Sequence, residues 1–189
     1  MRYILSLLFL ISACLQSHAF ALSGEVAGGY NRGSFVKLNP SKDIVVGKDI
    51  VVGNDTYQDD NLYVFDEDQN IVLPEALSID IGPQGLLIPK GTIVASRYVF
   101  FDPEYGASQL GYIEFDAAVL GIATSTWTLQ ASDFLANTDV TYLNPILRGL
   151  EWEDSVWIDK ENPFRVWVNW AASSPGDYIR VFTAASPSV

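Results

Sequence analysis

Ser155-Val156-Trp157-Ile158-Asp159 and Phe164-Arg165-Val166-Trp167-Val168-Asn169-Trp170 are two nearby runs in which side chains alternate in character along the chain. Period-two alternation is typical of a β-strand that buries one face, because successive side chains point to opposite faces. The Asn162-Pro163 pair between the runs is a turn signal. Together these features predict an antiparallel hairpin.

The alternation also predicts the register of that hairpin. If the apolar faces of both strands join one core, even-numbered residues must oppose even-numbered residues. Val156 then lies opposite Val168, and Trp157 opposite Trp167 on the less apolar face. Such a tryptophan pair suits a sugar-stacking platform, and we name Trp157 and Trp167 as candidate ligand-binding residues. The alternative is a cross-strand aromatic pair that only stabilises the hairpin.

Runs of the same kind recur through the rest of the chain, separated by Gly, Pro, Asn and Asp. They cover residues 62–65, 71–73, 76–81, 92–101, 109–115, 117–123, 140–143 and 177–183, with Gly121 at a predicted bulge. Many short strands at regular spacing predict an all-β fold, an antiparallel β-sandwich or jelly roll. Only Ala131–Ala136 has a helical pattern, with Ser132 as its predicted N-cap.

The first residues have the pattern of an export signal. A basic start is followed by a short apolar run, Ile4–Ala13, and by the small-residue site Ala19-Phe20-Ala21. That run is shorter than the ~20 residues that span a bilayer. We therefore expect a signal peptide over residues 1–21, a single β-sandwich domain over 22–189 and no transmembrane segment. The alternative is a lipoprotein, because Ile11-Ser12-Ala13-Cys14 resembles a lipobox and would lipidate Cys14.

Composition restricts the chemistry of the expected mature domain. His18 and Cys14 are the only histidine and cysteine, so residues 22–189 hold neither a Ser-His-Asp triad nor a thiol or His-ligated zinc site. The net charge of −12 disfavours binding to nucleic acid or to anionic lipid. Carboxylate enzymes remain possible, since glycosidases need only two acidic residues. Glu114 and Asp116, two positions apart on one predicted strand, are compatible with such a dyad. The favoured alternative is that they belong to a polar face of the strand that is exposed to water.

Acidic residues flank the strand predicted at residues 62–65. Calcium prefers hard oxygen ligands, and clustered Asp and Asn side chains supply them. The candidate metal ligands are Asp55, Asp59, Asp60, Asp66 and Asp68. An EF-hand loop beginning at Asp66 is rejected, because Ile71 stands where glycine is required. The alternative is turn formation, in which Asp and Asn bond to their own backbone.

Lys42-Asp43-Ile44-Val45-Val46-Gly47 is repeated at once as Lys48-Asp49-Ile50-Val51-Val52-Gly53. Two copies are too few for a solenoid. We interpret the repeat as a local duplication that lengthens a strand or an edge loop.

Several segments between about residues 54 and 183 together resemble a group of uncharacterised exported bacterial proteins that often carry a PEP-CTERM-type sorting tail. These segments are residues 61–70, 96–103, 132–135, 143–145, 148–151 and 173–181. The resemblance implies export and no known activity. The sequence ends in Thr183-Ala184-Ala185-Ser186-Pro187-Ser188-Val189 and lacks the apolar helix and basic residues of that tail.

Composition, charge and resemblance together favour an exported, non-catalytic β-sandwich module of the envelope or extracellular matrix. Its expected ligand is a glycan, an envelope component or calcium. No catalytic residue is assigned. The alternative function is a carboxylate-based carbohydrate-active enzyme of the glycosidase type.

Overall fold

The structure, a computed structural model, describes residues 22–30, 33–40, 50–52, 56–173 and 175–187. The described residues form fourteen strands, one α-helix, α1 (Thr126–Ala131), and two 3-10 helices (Asp133–Leu135 and Pro145–Leu147). The strands are β1 (Ser23–Gly29), β2 (Phe35–Leu38), β3 (Ile50–Val52), β4 (Leu62–Asp66), β5 (Ile71–Val72), β6 (Leu77–Ser78), β7 (Leu87–Ile88), β8 (Ile93–Phe101), β9 (Ala107–Glu114), β10 (Val119–Ala123), β11 (Val140–Tyr142), β12 (Ser155–Ile158), β13 (Arg165–Ala172) and β14 (Asp177–Thr183).

Two large sheets contain most of these strands. The front sheet has the order β1-β9-β13-β12, and the central sheet has the order β10-β14-β8-β4-β2, with β5 also paired to β8. An apolar core lies between them and includes Val99, Ile179 and Val181 of the central sheet and Ile113, Val166, Val168 and Trp170 of the front sheet. The predicted all-β sandwich is therefore confirmed. The predicted bulge is also present, because the pairing of β10 with β14 shifts between Val119 and Gly121.

The central sheet is buried on its second face as well, which the two-layer prediction did not include. A second core contains Tyr98 and Phe100 of β8 together with Leu77, Leu129 and Leu135 from the segments that cover this face. Strands buried on both faces lose the alternation of polar and apolar residues. All seven residues of β14 are accordingly buried.

Two strand pairs are parallel, although the sequence analysis predicted antiparallel pairing. β2 pairs with β4, and β3 pairs with β11, in parallel registers. A parallel pair needs a long connection, and period-two alternation carries no information on strand direction. Of the duplicated segment, only Ile50–Val52 lies within the described residues, where it forms β3.

The helical prediction was displaced along the chain. α1 ends at Ala131, the first residue of the predicted segment, and the 3-10 helix Asp133–Leu135 lies inside that segment. Ser125 is the N-cap of α1 and accepts a hydrogen bond from Thr128 N, whereas the Ser132 hydroxyl donates to carbonyls of α1 instead of capping a helix. Asp80 stabilises this first turn, because its carboxylate accepts bonds from Thr124 N, Ser125 N and the Thr128 hydroxyl.

An ion pair lies at the centre of the second core. Arg180 is 0% exposed, and its Nε and Nη2 donate to the two Glu67 carboxylate oxygens at 2.6 and 2.8 Å. Tyr142 and Ser96 donate to the same carboxylate. Arg180 Nη1 donates to Asp133 Oδ1 at 3.2 Å. A buried pair is tolerated when the remaining lone pairs and protons find partners, as they do here.

A second buried arginine, Arg97 of β8, joins the central sheet to the segment after β9. Arg97 donates to Asp116 Oδ1 at 2.6 Å, to Asp66 Oδ1 at 3.0 Å and to the Thr183 hydroxyl. Its guanidinium also lies 5.6 Å from the ring centroid of Phe115. These contacts tie β8 to β4, to β14 and to the segment after β9.

Candidate functional site

A row of side chains crosses the outer face of the front sheet, one from each of its four strands. The register places Glu25 opposite Tyr112, Tyr112 opposite Trp167, and Trp167 opposite Trp157. The predicted pairing of Trp157 with Trp167 is confirmed, and so is that of Val156 with Val168. We call Tyr112, Trp167 and Trp157 the aromatic row.

The rings of the aromatic row contact each other and retain access to solvent. Trp157 and Trp167 are stacked, with ring centroids 6.0 Å apart and an interplanar angle of 8°. Tyr112 lies 5.0 Å from Trp167 at an angle of 55°. Trp157 is 40% exposed, and the other two are half-buried. The row is therefore available to a ligand as an extended apolar surface.

Fixed polar groups surround the row. The Trp167 indole N–H donates to Asp159 Oδ2 at 2.9 Å, and this bond holds the pKa of Asp159 below its ordinary value. The Arg165 guanidinium lies 4.5 Å from the Tyr112 ring centroid and donates to Glu114 at 3.0 Å through Nε. Oriented polar groups beside aromatic rings are what a small-ligand site requires.

The structure separates the candidate metal ligands. Asp59 and Asp60 precede β4, and the Asp59 carboxylate accepts bonds from the Tyr63 hydroxyl at 2.6 Å and from Asn61 N at 2.9 Å. Burial, followed by the hydrogen bond to Asp59, raises the pKa of that hydroxyl far above its ordinary value. This arrangement is a turn closed by its own side chains.

Asp66 and Asp68 lie at the opposite end of β4. Asp66 forms ion pairs with Lys37 at 2.8 Å and with Arg97 at 3.0 Å. Burial, followed by the charge of Glu67, raises the pKa of Asp68. Asp55 lies outside the described residues, and within the described ranges no group of three His, Cys, Asp or Glu side chains could hold a metal ion. The calcium site remains a prediction.

The prediction that Glu114 and Asp116 lie on one face of one strand is wrong. Glu114 is the last residue of β9 and bonds to Arg165 on the outer face, whereas Asp116 is buried against Arg97. The strand ends before Asp116, so the alternation that placed the two carboxylates on one face does not reach it.

A different carboxyl group occupies a cavity that the sequence analysis missed. The cavity, of about 440 Å³, lies where β9 begins, β13 ends and β14 begins, and Ala107, Ala172, Glu151 and Asp177 are among its lining residues. Asp177 is 3% exposed, and its Oδ2 makes no hydrogen bond within the described residues. Burial, followed by the charges of Asp154 and Glu151, raises the pKa of Asp177 to about 8.

One sequence signal could have identified this group. Asp177 lies two and four positions before Ile179 and Val181, so all three side chains share one face of the predicted strand. Since Ile179 and Val181 belong to the intersheet core, the first residue on the core-facing side of β14 is an aspartate. From the sequence alone, Asp177 was identified only as the first residue of the predicted strand 177–183.

The chain matches no protein-family model, no curated protein and no solved structure. The resemblance to exported bacterial proteins therefore remains a prediction. Within the parts of the chain that the structure describes, no helix is both long and apolar enough to cross a bilayer.

Proposed function

We propose that the chain is an exported, non-catalytic β-sandwich module that binds glycan on the aromatic row. The observation that carries this proposal is the alignment of Tyr112, Trp167 and Trp157 on adjacent strands of an outward-facing sheet. Sugar rings present apolar C–H faces that pack on aromatic rings, while their hydroxyl groups need polar partners. Asp159 and Arg165 supply such partners beside the row.

The rigidity of the row supports the same proposal. Ligands bind more tightly to groups that are already held in the bound arrangement, since less conformational entropy is lost on binding. Trp167 is fixed by its bond to Asp159 and by contacts with rings on both sides. The signal peptide expected at residues 1–21 lies outside the described residues, and export remains part of the proposal, with lipidation of Cys14 as its minority form.

We expect Trp167→Ala to abolish glycan binding, because it removes the central ring of the row. The free energy of unfolding should fall by about 0.5–1.5 kcal/mol for each of the two lost ring pairs, beyond the loss from area burial, which is limited because the ring is only half-buried. Affinity electrophoresis of the mature protein on a panel of soluble polysaccharides, with the melting temperature measured in parallel, checks both expectations.

Trp152→Ala is the matched control, because Trp152 is 90% exposed and lies outside the row. Its binding should equal that of the unmodified protein. Equal losses in the two variants, or full binding by Trp167→Ala, would contradict the proposal.

The alternative function, a carboxylate-based carbohydrate-active enzyme, has one observation in its favour. Asp177 is an acid with a raised pKa in a cavity, close enough to Asp154 and Glu151 for their charges to act on it. Glycosidases use a protonated acid beside an ionised carboxylate in this way. Turnover of a polysaccharide that is lost in Asp177→Asn and retained in Trp152→Ala would establish the enzyme and exclude the non-catalytic module. A full panel without turnover would exclude the enzyme.

A further inference from the structure

The cavity at Asp177 is separate from the aromatic row and contains an acidic side chain at one end of the intersheet core. Asp177 is the first residue of β14 and pairs through its backbone with Phe101 of β8. Its side chain lies on the face that points between the two sheets, beside Ala107 and Ala172. The carboxyl group therefore lies at one end of the intersheet core, where the cavity opens.

The described charges around this cavity are of one sign. Asp177 and Glu151 line it, no Lys or Arg of the described ranges is among its lining residues, and Asp154 lies close enough to raise the pKa of Asp177. Asp154 is held in place, because its carboxylate accepts bonds from Ala171 N and Glu151 N. A buried carboxyl oxygen without a hydrogen-bond partner is costly, and so is a concentration of like charges. A bound cation would relieve the repulsion between the like charges.

The walls of the cavity suit an organic cation. Within the described residues, no group of three His, Cys, Asp or Glu side chains could hold a metal ion. An ammonium group is a cation with three donors, and the Asp177 carboxyl group, 3% exposed at the cavity lining, is the anion it would pair with. The walls contributed by Ala107, Ala172 and Pro175 suit a short apolar stem, and a volume of about 440 Å³ accommodates one.

We propose that this cavity binds a primary ammonium group on a short apolar stem, with the Asp177 carboxylate as its ion-pair partner. This chemistry is shared by small alkylamines and by lysine side chains. The site is distinct from the aromatic row, and it does not depend on glycan binding.

The raised pKa of Asp177 gives such binding a characteristic pH dependence. With a pKa of about 8, the carboxyl group is mostly protonated at neutral pH, while an alkylammonium remains charged. The ammonium group favours the carboxylate, so binding releases a proton from Asp177. Glu151 and Asp154 are the other charged groups that act on Asp177, and both favour the cation at every pH in this range. Below the pKa of Asp177, affinity should rise by about tenfold for each pH unit.

Calorimetric titration of the mature protein with n-butylammonium, at pH 6, 7 and 8, tests the proposal. 1-Butanol is the neutral control, and Nα-acetyl-lysine methylamide is the second amine. The proposal expects saturable binding of n-butylammonium that strengthens with pH and releases a proton, and no binding of 1-butanol. Binding of both amines would place lysine side chains within the ligand class, and binding of n-butylammonium alone would restrict the site to small amines.

Two variants and one control complete the test. Asp177→Asn should weaken binding at pH 8 by at least about tenfold, which corresponds to ~1.4 kcal/mol. Glu151→Gln, at an exposed position, should weaken it several-fold, and Glu161→Gln, at an exposed position outside the cavity, should leave it unchanged. The proposal is overturned by absence of saturable binding at pH 8, by equal binding of 1-butanol, or by unchanged affinity in Asp177→Asn.

Discussion

Arg180→Met should lower the free energy of unfolding by about 3–5 kcal/mol, the usual cost of removing one partner from a buried ion pair. The substitution leaves the Glu67 carboxylate buried among Tyr142, Ser96 and the apolar residues of the second core, without its guanidinium. It also removes the bond from Arg180 to Asp133. Urea denaturation followed by tryptophan fluorescence measures the change.

Arg165→Met is the matched control for that experiment. Arg165 forms an ion pair with Glu114 in which both side chains are partly exposed, at 28% and 34%. Exposed pairs contribute about 0–1 kcal/mol, so the same substitution should cost far less there. Comparable losses at both positions would show that the depth of burial around Arg180 does not decide its contribution.

Asp177 should make the protein less stable as the pH rises. Its folded pKa of about 8 exceeds the ordinary value of 3.8, so the native state binds the proton more tightly than the unfolded chain does. The stability that this proton provides is fully present below pH ~4 and is lost as the pH rises towards 8. The slope contributed by this one group is at most about 1.4 kcal/mol per pH unit.

Asp177→Asn should therefore flatten the pH dependence and raise the melting temperature at pH 8, with little change at pH 4. Melting curves at half-unit pH intervals, without added amine, measure both effects. Glu161→Gln removes an exposed carboxyl group and serves as the control, for which the slope should stay that of the unmodified protein. If Asp177→Asn kept the original slope, the carboxyl group would not be protonated in the native state.

The front sheet was the most predictable part of the molecule. β12 and β13 each bury one face only, so their alternation determined which residues point inward. With the shared core, it also determined that Trp157 lies beside Trp167. Tyr112 was missed as a member of the row, because its position opposite Trp167 depends on the order of strands in the sheet. Nothing in the local pattern of β9 specifies which strand lies next to it.

The central sheet and its cover were less predictable. β8 and β14 are buried on both faces, so their polarity does not alternate, and the layer that covers their second face left no periodic signal. α1 contains Thr126, Trp127 and Thr128, which are weak helix formers. The helix is stabilised by Asp80, which lies 48 residues before Thr128. Helix propensity depends on local sequence only, so it does not include such a contact.

The segments on which the predicted resemblance to exported bacterial proteins rests supply much of the buried polar network. Ser96, Asp133, Arg148 and Arg180 come from four separate segments, and Glu67 comes from a fifth. Arg180 bonds to Glu67 and Asp133, Arg148 bonds to Asp133 through both terminal nitrogens, and Ser96 bonds to Glu67. The role of these residues is therefore structural. They form hydrogen bonds and ion pairs with one another inside the core, and they do not line the aromatic row.

The position of β14 has a consequence for the order of events during folding. β14 lies between β8 and β10 in the central sheet, although it follows all the other described strands in sequence, and Arg180 bonds to Glu67, which lies 113 residues earlier. Contacts between distant parts of a chain form slowly, because loop closure must come first. Until residues 177–183 arrive, β8 and β10 lack the strand that joins them. Under the export proposal, this delay would leave the central sheet incomplete, and the polypeptide open for transport, until residues 177–183 have been synthesised.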